Sequence, residues 1–208
     1  MPCYKLVAFD MDGVLVDMES SWRYAHKHLG TDNSMARRAY LKGDMGSYEF
    51  MNTDIALWRS KGKTLRDIEA IFEDVPVMKG AHKCIDELKK KDITTAIVSG
   101  GLGILAKRIA ENIGMDYAIA NGIKENMEGG ILNVSPRNKG TALVKLAEDL
   151  GIKKEEIVSV GNSRYDVKMF EVSGRGIAFN PCDDEVVEYA DIIIKEKNLS
   201  LILPYISE

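Results

Sequence analysis

Short runs of consecutive apolar residues, rich in valine and isoleucine, recur along the chain: KLVAF (5–9), TTAIVS (94–99), YAIAN (117–121), EIVSVG (156–161), GIAF (176–179) and DIIIK (191–195). Runs of this length and β-branched content predict strands. Between most of them the apolar positions return at helical spacing, in AHKCIDELKKK (81–91), GILAKRIAENIG (103–114), KGTALVKLAEDLG (139–151) and YDVKMFEVSG (165–174). Several of these stretches stop at a glycine, the usual cap of a helix C-terminus. Strand alternating with helix predicts an α/β fold, a parallel sheet with helices on both faces. Ligands of such open sheets bind at the carboxyl ends of the strands, so chemistry is expected there.

Two stretches break the alternation. Residues 18 to about 78 hold no convincing strand but four helical patterns, SSWRYAHKHLG (20–30), MARRAYLKG (35–43), YEFMNTDIALWRSKG (48–62) and TLRDIEAIFEDV (64–75). They predict an all-helical insertion after the first strand, residues 18–76, on a core made of residues 1–17 and 77–208. In GIKENMEGGILNV (122–134) the MEGG between two short extended runs predicts a β-hairpin.

Composition narrows the function classes. With 208 residues and 45% apolar content the chain can fill a sizeable core, and a net charge of −4 gives no electrostatic reason to bind nucleic acid or an anionic membrane. No apolar run approaches the roughly 20 residues of a membrane span, and no signal peptide is recognisable, so a cytoplasmic protein is expected. Cys3, Cys84 and Cys182 are scattered and lack zinc-site spacing, which fits reduced, buried thiols.

The strand ends carry the candidate chemistry. The first runs into DMDG, which sets Asp10 and Asp12 one residue apart, on one side of an extended backbone. Two like charges held that close repel, and a cation between them is the natural remedy. The second strand ends in Ser99, Gly100 and Gly101, the strand EIVSVG in Gly161, Asn162 and Ser163 with Asp166 just beyond, and Lys139 opens the helix after the hairpin. A cleft so lined suits phosphoryl transfer. A carboxylate attacks phosphorus, Mg²⁺ held by hard oxygen ligands and a lysine ammonium neutralise charge, and a serine hydroxyl with glycine amides at a helix N-terminus donates to phosphate oxygens.

DMDGVLVD, VSGG, the NKG lysine and GNSRYD resemble, in order and spacing over essentially the whole chain, the four motifs of the haloacid dehalogenase superfamily of phosphohydrolases. The insertion after the first strand and the hairpin before NKG are similar to its phosphoserine phosphatase-like branch. The resemblance implies Asp10 as nucleophile and Asp12 as general acid and then base. Ser99, Gly100, Gly101 and Lys139 would hold the phosphoryl group, and Asp10, the Asp12 carbonyl, Asn162 and Asp166 would hold Mg²⁺. It implies hydrolysis of a small phosphorylated metabolite, with a phosphomutase or phosphotransferase of the superfamily, or a catalytically silent phosphate-binding protein, as alternatives. Glu19 falls where phosphoserine phosphatases carry a glutamate that reads the substrate's amino group. Their carboxylate-clamping arginine aligns with Thr53 or Asp54, and Arg59 lies over a turn away. The fourth motif begins with Asn162 where the family has an acid, and Tyr165 stands where it has Asn.

Other candidates read as structural. Trp22, Met45, Phe50, Met51 and Trp58, at helical spacing, predict a core for the insertion. His26, His28 and His82 lack metal-ligand spacing and are assigned to packing or surface.

Overall fold

The computed structural model describes residues 4–206; Cys3 lies outside the described residues. The chain opens with β1 (Leu6–Phe9), and four helices follow: α1 (Ser21–Leu29), α2 (Ser34–Lys42), α3 (Ser47–Ser60) and α4 (Leu65–Ala70). Then come α5 (Ala81–Lys89), β2 (Thr94–Leu102), α6 (Gly103–Ile113), β3 (Tyr117–Ile123), β4 (Gly130–Ile131), α7 (Gly140–Leu150) and β5 (Ile157–Gly161). The remainder is α8 (Val167–Phe170), β6 (Arg175–Phe179), α9 (Asp184–Glu188), β7 (Ile192–Ile194) and a 3₁₀ helix over Leu199–Tyr205.

Among the described residues the strands form one seven-stranded sheet in the order β4-β3-β2-β1-β5-β6-β7. Every pairing is parallel except β3 with β4, the expected hairpin, in which Gly122 opposes Ile131 and Ile123 opposes Gly130. The α/β architecture is therefore the one the alternating pattern predicts. β1 lies at the centre and all four of its residues are buried. Val7 and Phe9 face one layer of apolar side chains, while Leu6 and Ala8 face a second built from α7 residues such as Leu143 and Leu146. No described helix is long and apolar enough to cross a membrane.

The helices α1, α3 and α4 and the turn after them share the first of these layers: Ala25, Met51, Ile55, Trp58, Ile68 and Phe72 are contiguous with Phe9, Leu15 and Ile97. The chain leaves for this segment and returns from it side by side. Val16 pairs antiparallel with Val77, and the Met78 N–H donates to the Leu15 carbonyl at 2.7 Å. From the far side the hairpin docks on α3, where the Gly130 N–H donates to Asn52 Oδ1 at 2.9 Å.

Candidate active site

Asp10 follows directly on β1, and its N–H donates to the Val160 carbonyl of the neighbouring β5 at 2.9 Å. That hydrogen bond extends the parallel ladder one residue and fixes the carboxylate at the strand end. The chain then folds tightly: Leu15 N–H and Val16 N–H both donate to the Met11 carbonyl, at 2.9 and 3.2 Å, and Gly13 adopts φ 84°. Only glycine takes that conformation freely. A Cβ on Gly13 would also fall 2.0 Å from Asn162 Nδ2, so the Asn162 amide lies directly against this turn.

Lys139 joins two carboxylates. Its Nζ stands 2.6 Å from Asp10 Oδ1 and 2.6 Å from Asp166 Oδ1, with all three side chains buried. The other oxygen of Asp166 is occupied too, accepting from the Asn162 N–H at 2.9 Å, the Ser163 N–H at 3.0 Å and the Ser163 hydroxyl at 3.2 Å. Asp166 thus caps the short turn it belongs to and anchors the lysine, and both its oxygens are engaged. Asp12 is held differently. Its Oδ2 accepts from the Ser21 N–H and hydroxyl, each at 2.9 Å, while its Oδ1 is buried with no hydrogen-bond partner.

The electrostatics follow from this crowding. Burial, and then the Asp166 charge, push the Asp10 carboxyl up to about 7, against the opposing pull of Lys139. Burial likewise raises Asp12, and the two hydrogen bonds from Ser21 draw it back. For Lys139 burial works against the charged form, but Asp10 and Asp166 more than offset it and hold the ammonium protonated. Three carboxylates surround one ammonium, so the site carries an excess of negative charge.

Hard oxygen donors with surplus negative charge fit a small divalent cation. Among the described residues no group of three or more His, Cys, Asp or Glu side chains is arranged to hold a metal. The reason is visible in the donors: the Asp166 oxygens are taken, and the remaining candidates, Asp10, the Asp12 carbonyl and the Asn162 amide, include one side-chain carboxylate. They suit Mg²⁺ in chemical type, with a lower ligand charge than an acid at position 162 would give.

The second strand runs further than its sequence pattern predicts. β2 continues through Ser99, Gly100 and Gly101 to Leu102, with a register shift against β3, and α6 begins only at Gly103. The Gly101 N–H is turned to the Ser99 hydroxyl oxygen at 3.1 Å instead of opening a helix, while that hydroxyl keeps its own proton to donate. Glycine at 101 is demanded by proximity: a Cβ there would lie 2.6 Å from Ser21 Oγ and 3.0 Å from Asp12 Oδ2. Three residues hold this corner: Ser21 and Asn121, which sequence reasoning passed over, and Trp22, which it assigned to the core of the insertion. Ser21 Oγ accepts from the Leu102 N–H at 3.0 Å. The buried Asn121 donates to the Gly100 and Val134 carbonyls at 3.0 and 2.9 Å and accepts from the Asn133 and Val134 N–H groups. Trp22 Nε1 donates to the Gly100 carbonyl at 3.1 Å. An asparagine within a strand run, YAIAN, was the available signal for the second; Ser21 carries none of its own.

These groups floor one cavity of about 620 Å³, roofed by α1 to α3. Asp10, Asp12, Ser99, Gly100, Gly101, Lys139, Asn162 and Glu19 all line it; Asp166 lies beneath, behind Lys139. Trp22, Phe50 and Met51, expected in the core of the insertion, also line the cavity, because the helices face it with the same stripe that packs inward. Trp58 is fully buried behind them and stacks on Trp22 at 5.5 Å. Glu19 stands at the exposed rim in an ion pair with Arg23. His26 is buried and hydrogen-bonded, His28 stacks on Tyr24, and His82 is exposed.

Residues 4–174 match the family model described as haloacid dehalogenase-like hydrolase. The chain is 32% identical to the phosphoserine phosphatase of Methanocaldococcus jannaschii, over 97% of both chains. It superposes on a substrate-bound phosphoserine phosphatase complex with a TM-score of 0.82, at 29% identity, covering 98% of this chain and 99% of that one. A phospho-aspartyl intermediate analogue of phosphoserine phosphatase superposes with a TM-score of 0.79, again at 29% identity, covering 98% and 99%. With the match extending over most of its length, the chain belongs to the haloacid dehalogenase-like hydrolases.

Proposed function

We propose that this protein hydrolyses a small phosphomonoester, O-phosphoserine first among the candidates, through an aspartyl-phosphate on Asp10, with Mg²⁺ as cofactor. The observation that carries the reading is the floor of the cavity: a buried Asp10 held by Lys139, with the unpartnered Oδ1 of Asp12 beside it. Residues 18–76 act as a cap over a core formed by residues 1–17 and 77–208.

In this reading an Asp10 oxygen forms a bond to phosphorus as the ester P–O bond breaks, and the Asp12 carboxyl gives its proton to the departing alkoxide. Burial raises Asp12, which favours the protonated form that this step needs. Water then attacks the phosphorus, Asp12 takes back a proton, and the P–O bond to Asp10 breaks to release phosphate. Ser21 keeps one Asp12 oxygen occupied so that the other faces the leaving group. Lys139 and the Ser99 hydroxyl meet the phosphoryl oxygens. Asp10, the Asp12 carbonyl and Asn162 would hold Mg²⁺, which would supply positive charge to offset the repulsion between carboxylate and phosphoryl group. The roof excludes bulk water from the acyl phosphate.

Asp10→Asn tests this directly. The amide fills the same volume but cannot attack phosphorus, so turnover of phosphoserine and of p-nitrophenyl phosphate is abolished while the unfolding transition persists. Fluoroberyllate should be found on Asp10 of the active protein; a mimic seated on another carboxylate would remove the assignment.

A further inference from the structure

Deep in the roof of the cavity, away from the catalytic floor, stands a second carboxylate. Asp54, on α3, is 1% exposed and lines the cavity. Its Oδ1 accepts from Asn33 Nδ2 at 2.9 Å and lies 3.2 Å from His26 Nε2. Its Oδ2 is buried with no partner. Among the described residues no lysine or arginine is paired with it.

The surroundings are arranged for this carboxylate and do not discharge it. Asn33 occupies the N-cap position of α2, yet its side chain makes no capping bond and reaches to Asp54 instead. Trp58 Nε1 approaches His26 Nδ1 at 3.1 Å. An indole nitrogen only donates, so Nδ1 accepts and the ring proton sits on Nε2, toward Asp54. Nε2 thus lies close to Asp54 Oδ1 without making a hydrogen bond to it. One oxygen of Asp54 is served by the Asn33 amide, and the other is buried without a partner on a residue that lines the cavity beside Phe50 and Met51. A buried acceptor left in that condition costs stability unless a ligand meets it.

One turn beyond Asn33 on the same face of α2, Arg37 lines the same cavity, and its guanidinium has no ion-pair or hydrogen-bond partner among the described residues. An unpaired acid and an unpaired base thus share one wall without pairing with each other. At the rim the opposite holds, since Glu19 and Arg23 satisfy one another.

We infer that Asp54 and Arg37 are the specificity site for a zwitterionic head group, the ammonium of an α-amino acid meeting Asp54 Oδ2 and its carboxylate meeting Arg37. Asn33 and His26 position Asp54 from behind. The inference rests on the phosphomonoester reading of the floor and assigns recognition of the far end of the substrate to residues of the roof, away from Glu19.

The test compares kcat/KM for three probes, each normalised to p-nitrophenyl phosphate. O-phosphoserine carries both charges, phosphoethanolamine lacks the carboxylate, and 3-phosphoglycerate has a hydroxyl in place of the ammonium. Wild type should prefer phosphoserine over either single-charge probe by roughly tenfold or more, the usual scale of one charge-assisted hydrogen bond. Asp54→Asn keeps the volume and the bond from Asn33. It should lower the ratio for phosphoserine and phosphoethanolamine and leave that for 3-phosphoglycerate unchanged. Arg37→Ala, on an exposed helix position, should lower phosphoserine and 3-phosphoglycerate and spare phosphoethanolamine. Equal losses across the probes would make both residues structural and overturn the inference, as would an amine-selective loss appearing in Glu19→Ala and not in Asp54→Asn. If wild type turns over p-nitrophenyl phosphate but not phosphoserine, the phosphoserine reading itself fails. If it turns over phosphoserine and the two roof variants behave as wild type, only the inference does.

Discussion

Asn162 stands where the resemblance leads one to expect an acid, and its position makes that difference testable. It sits against Gly13 within a site where Asp10, Asp12 and Asp166 already face one ammonium. Asn162→Asp adds a fourth carboxylate at nearly constant volume. Without a divalent ion that added repulsion lowers the unfolding midpoint; with Mg²⁺ the same charge becomes a ligand, so the midpoint rises more steeply with Mg²⁺ than in wild type. Half-saturation of activity should move to lower Mg²⁺, with a smaller gain at saturation. Thermal unfolding of both proteins across a Mg²⁺ series measures this. Parallel curves would mean that residue 162 does not touch the ion. At this scale the sequence displayed the floor of the site well, because Asp10, Asp12, Ser99, Lys139 and Asn162 stand in strings whose chemistry is local. It did not display Ser21, Asn121 or the free oxygen of Asp54, since what singles them out is which partner they meet across the fold.

At the scale of elements, the strands were legible, the short β7 and the β3–β4 hairpin included, and the short helical segments of the C-terminal part were not. The five inner strands and the helices α5, α6 and α7 lie close to where apolar periodicity puts them. The stretch predicted as helix over 165–174 is a 3₁₀ turn and a four-residue helix, because Asp166 is held by Lys139 and by the amides preceding it. The 3₁₀ segment Leu199–Tyr205 gave no periodic signal; Leu199 and Ile202 order it by packing onto the layer under α5. The corner between α1 and β2 is a third case, in which function depends on two elements meeting. Ser21 begins α1, offers its N–H and hydroxyl to Asp12, and receives the Leu102 N–H at the end of β2. Ser21→Ala therefore removes one of two restraints on Asp12 and strands a buried N–H. We expect a loss of about 1–3 kcal/mol in stability. We also expect a fall in kcat with little change in KM, since the interaction lost orients the proton donor and not the substrate. Denaturant unfolding and steady-state kinetics on the same variant check both, and an unchanged kcat would detach Ser21 from Asp12's role.

For the whole molecule, the question is whether the helical segment and the sheet are one cooperative unit or two. The sequence presents α1 to α4 as an all-helical insertion with a predicted core of its own. The packing says otherwise. Trp58, Ile55, Ile68 and Phe72 share one apolar cluster with Phe9, Leu15 and Ile97. The cluster is bolted at its edges by the Val16–Val77 pairing, the Trp22 bond to Gly100 and the Arg137 guanidinium, which lies 4.5 Å over the Tyr40 ring. A segment whose apolar face is completed by the sheet cannot hold its structure once the sheet unfolds. Calorimetry should accordingly give a single transition whose van't Hoff and calorimetric enthalpies agree. Trp58→Ala makes the argument quantitative. Truncating a fully buried aromatic costs about 3–5 kcal/mol, which in a chain of this size lowers the midpoint by about 6–20 °C. If the molecule is one unit, the sheet's signal and the helices' signal fall together by that amount. If the roof folds on its own, the variant splits the trace, leaving a sheet transition at the wild-type temperature behind an earlier helical one. In the coupled case, opening of the cavity for substrate and product is confined to what the shared cluster does not hold. Of the three helices that roof the cavity the least held is α2, in which Tyr40 is the one buried residue, and Asn33 and Arg37 at its start line the cavity. Amide exchange in α2 should then be faster than in α1 or α3 and should slow when phosphoserine is added to the Asp10→Asn protein.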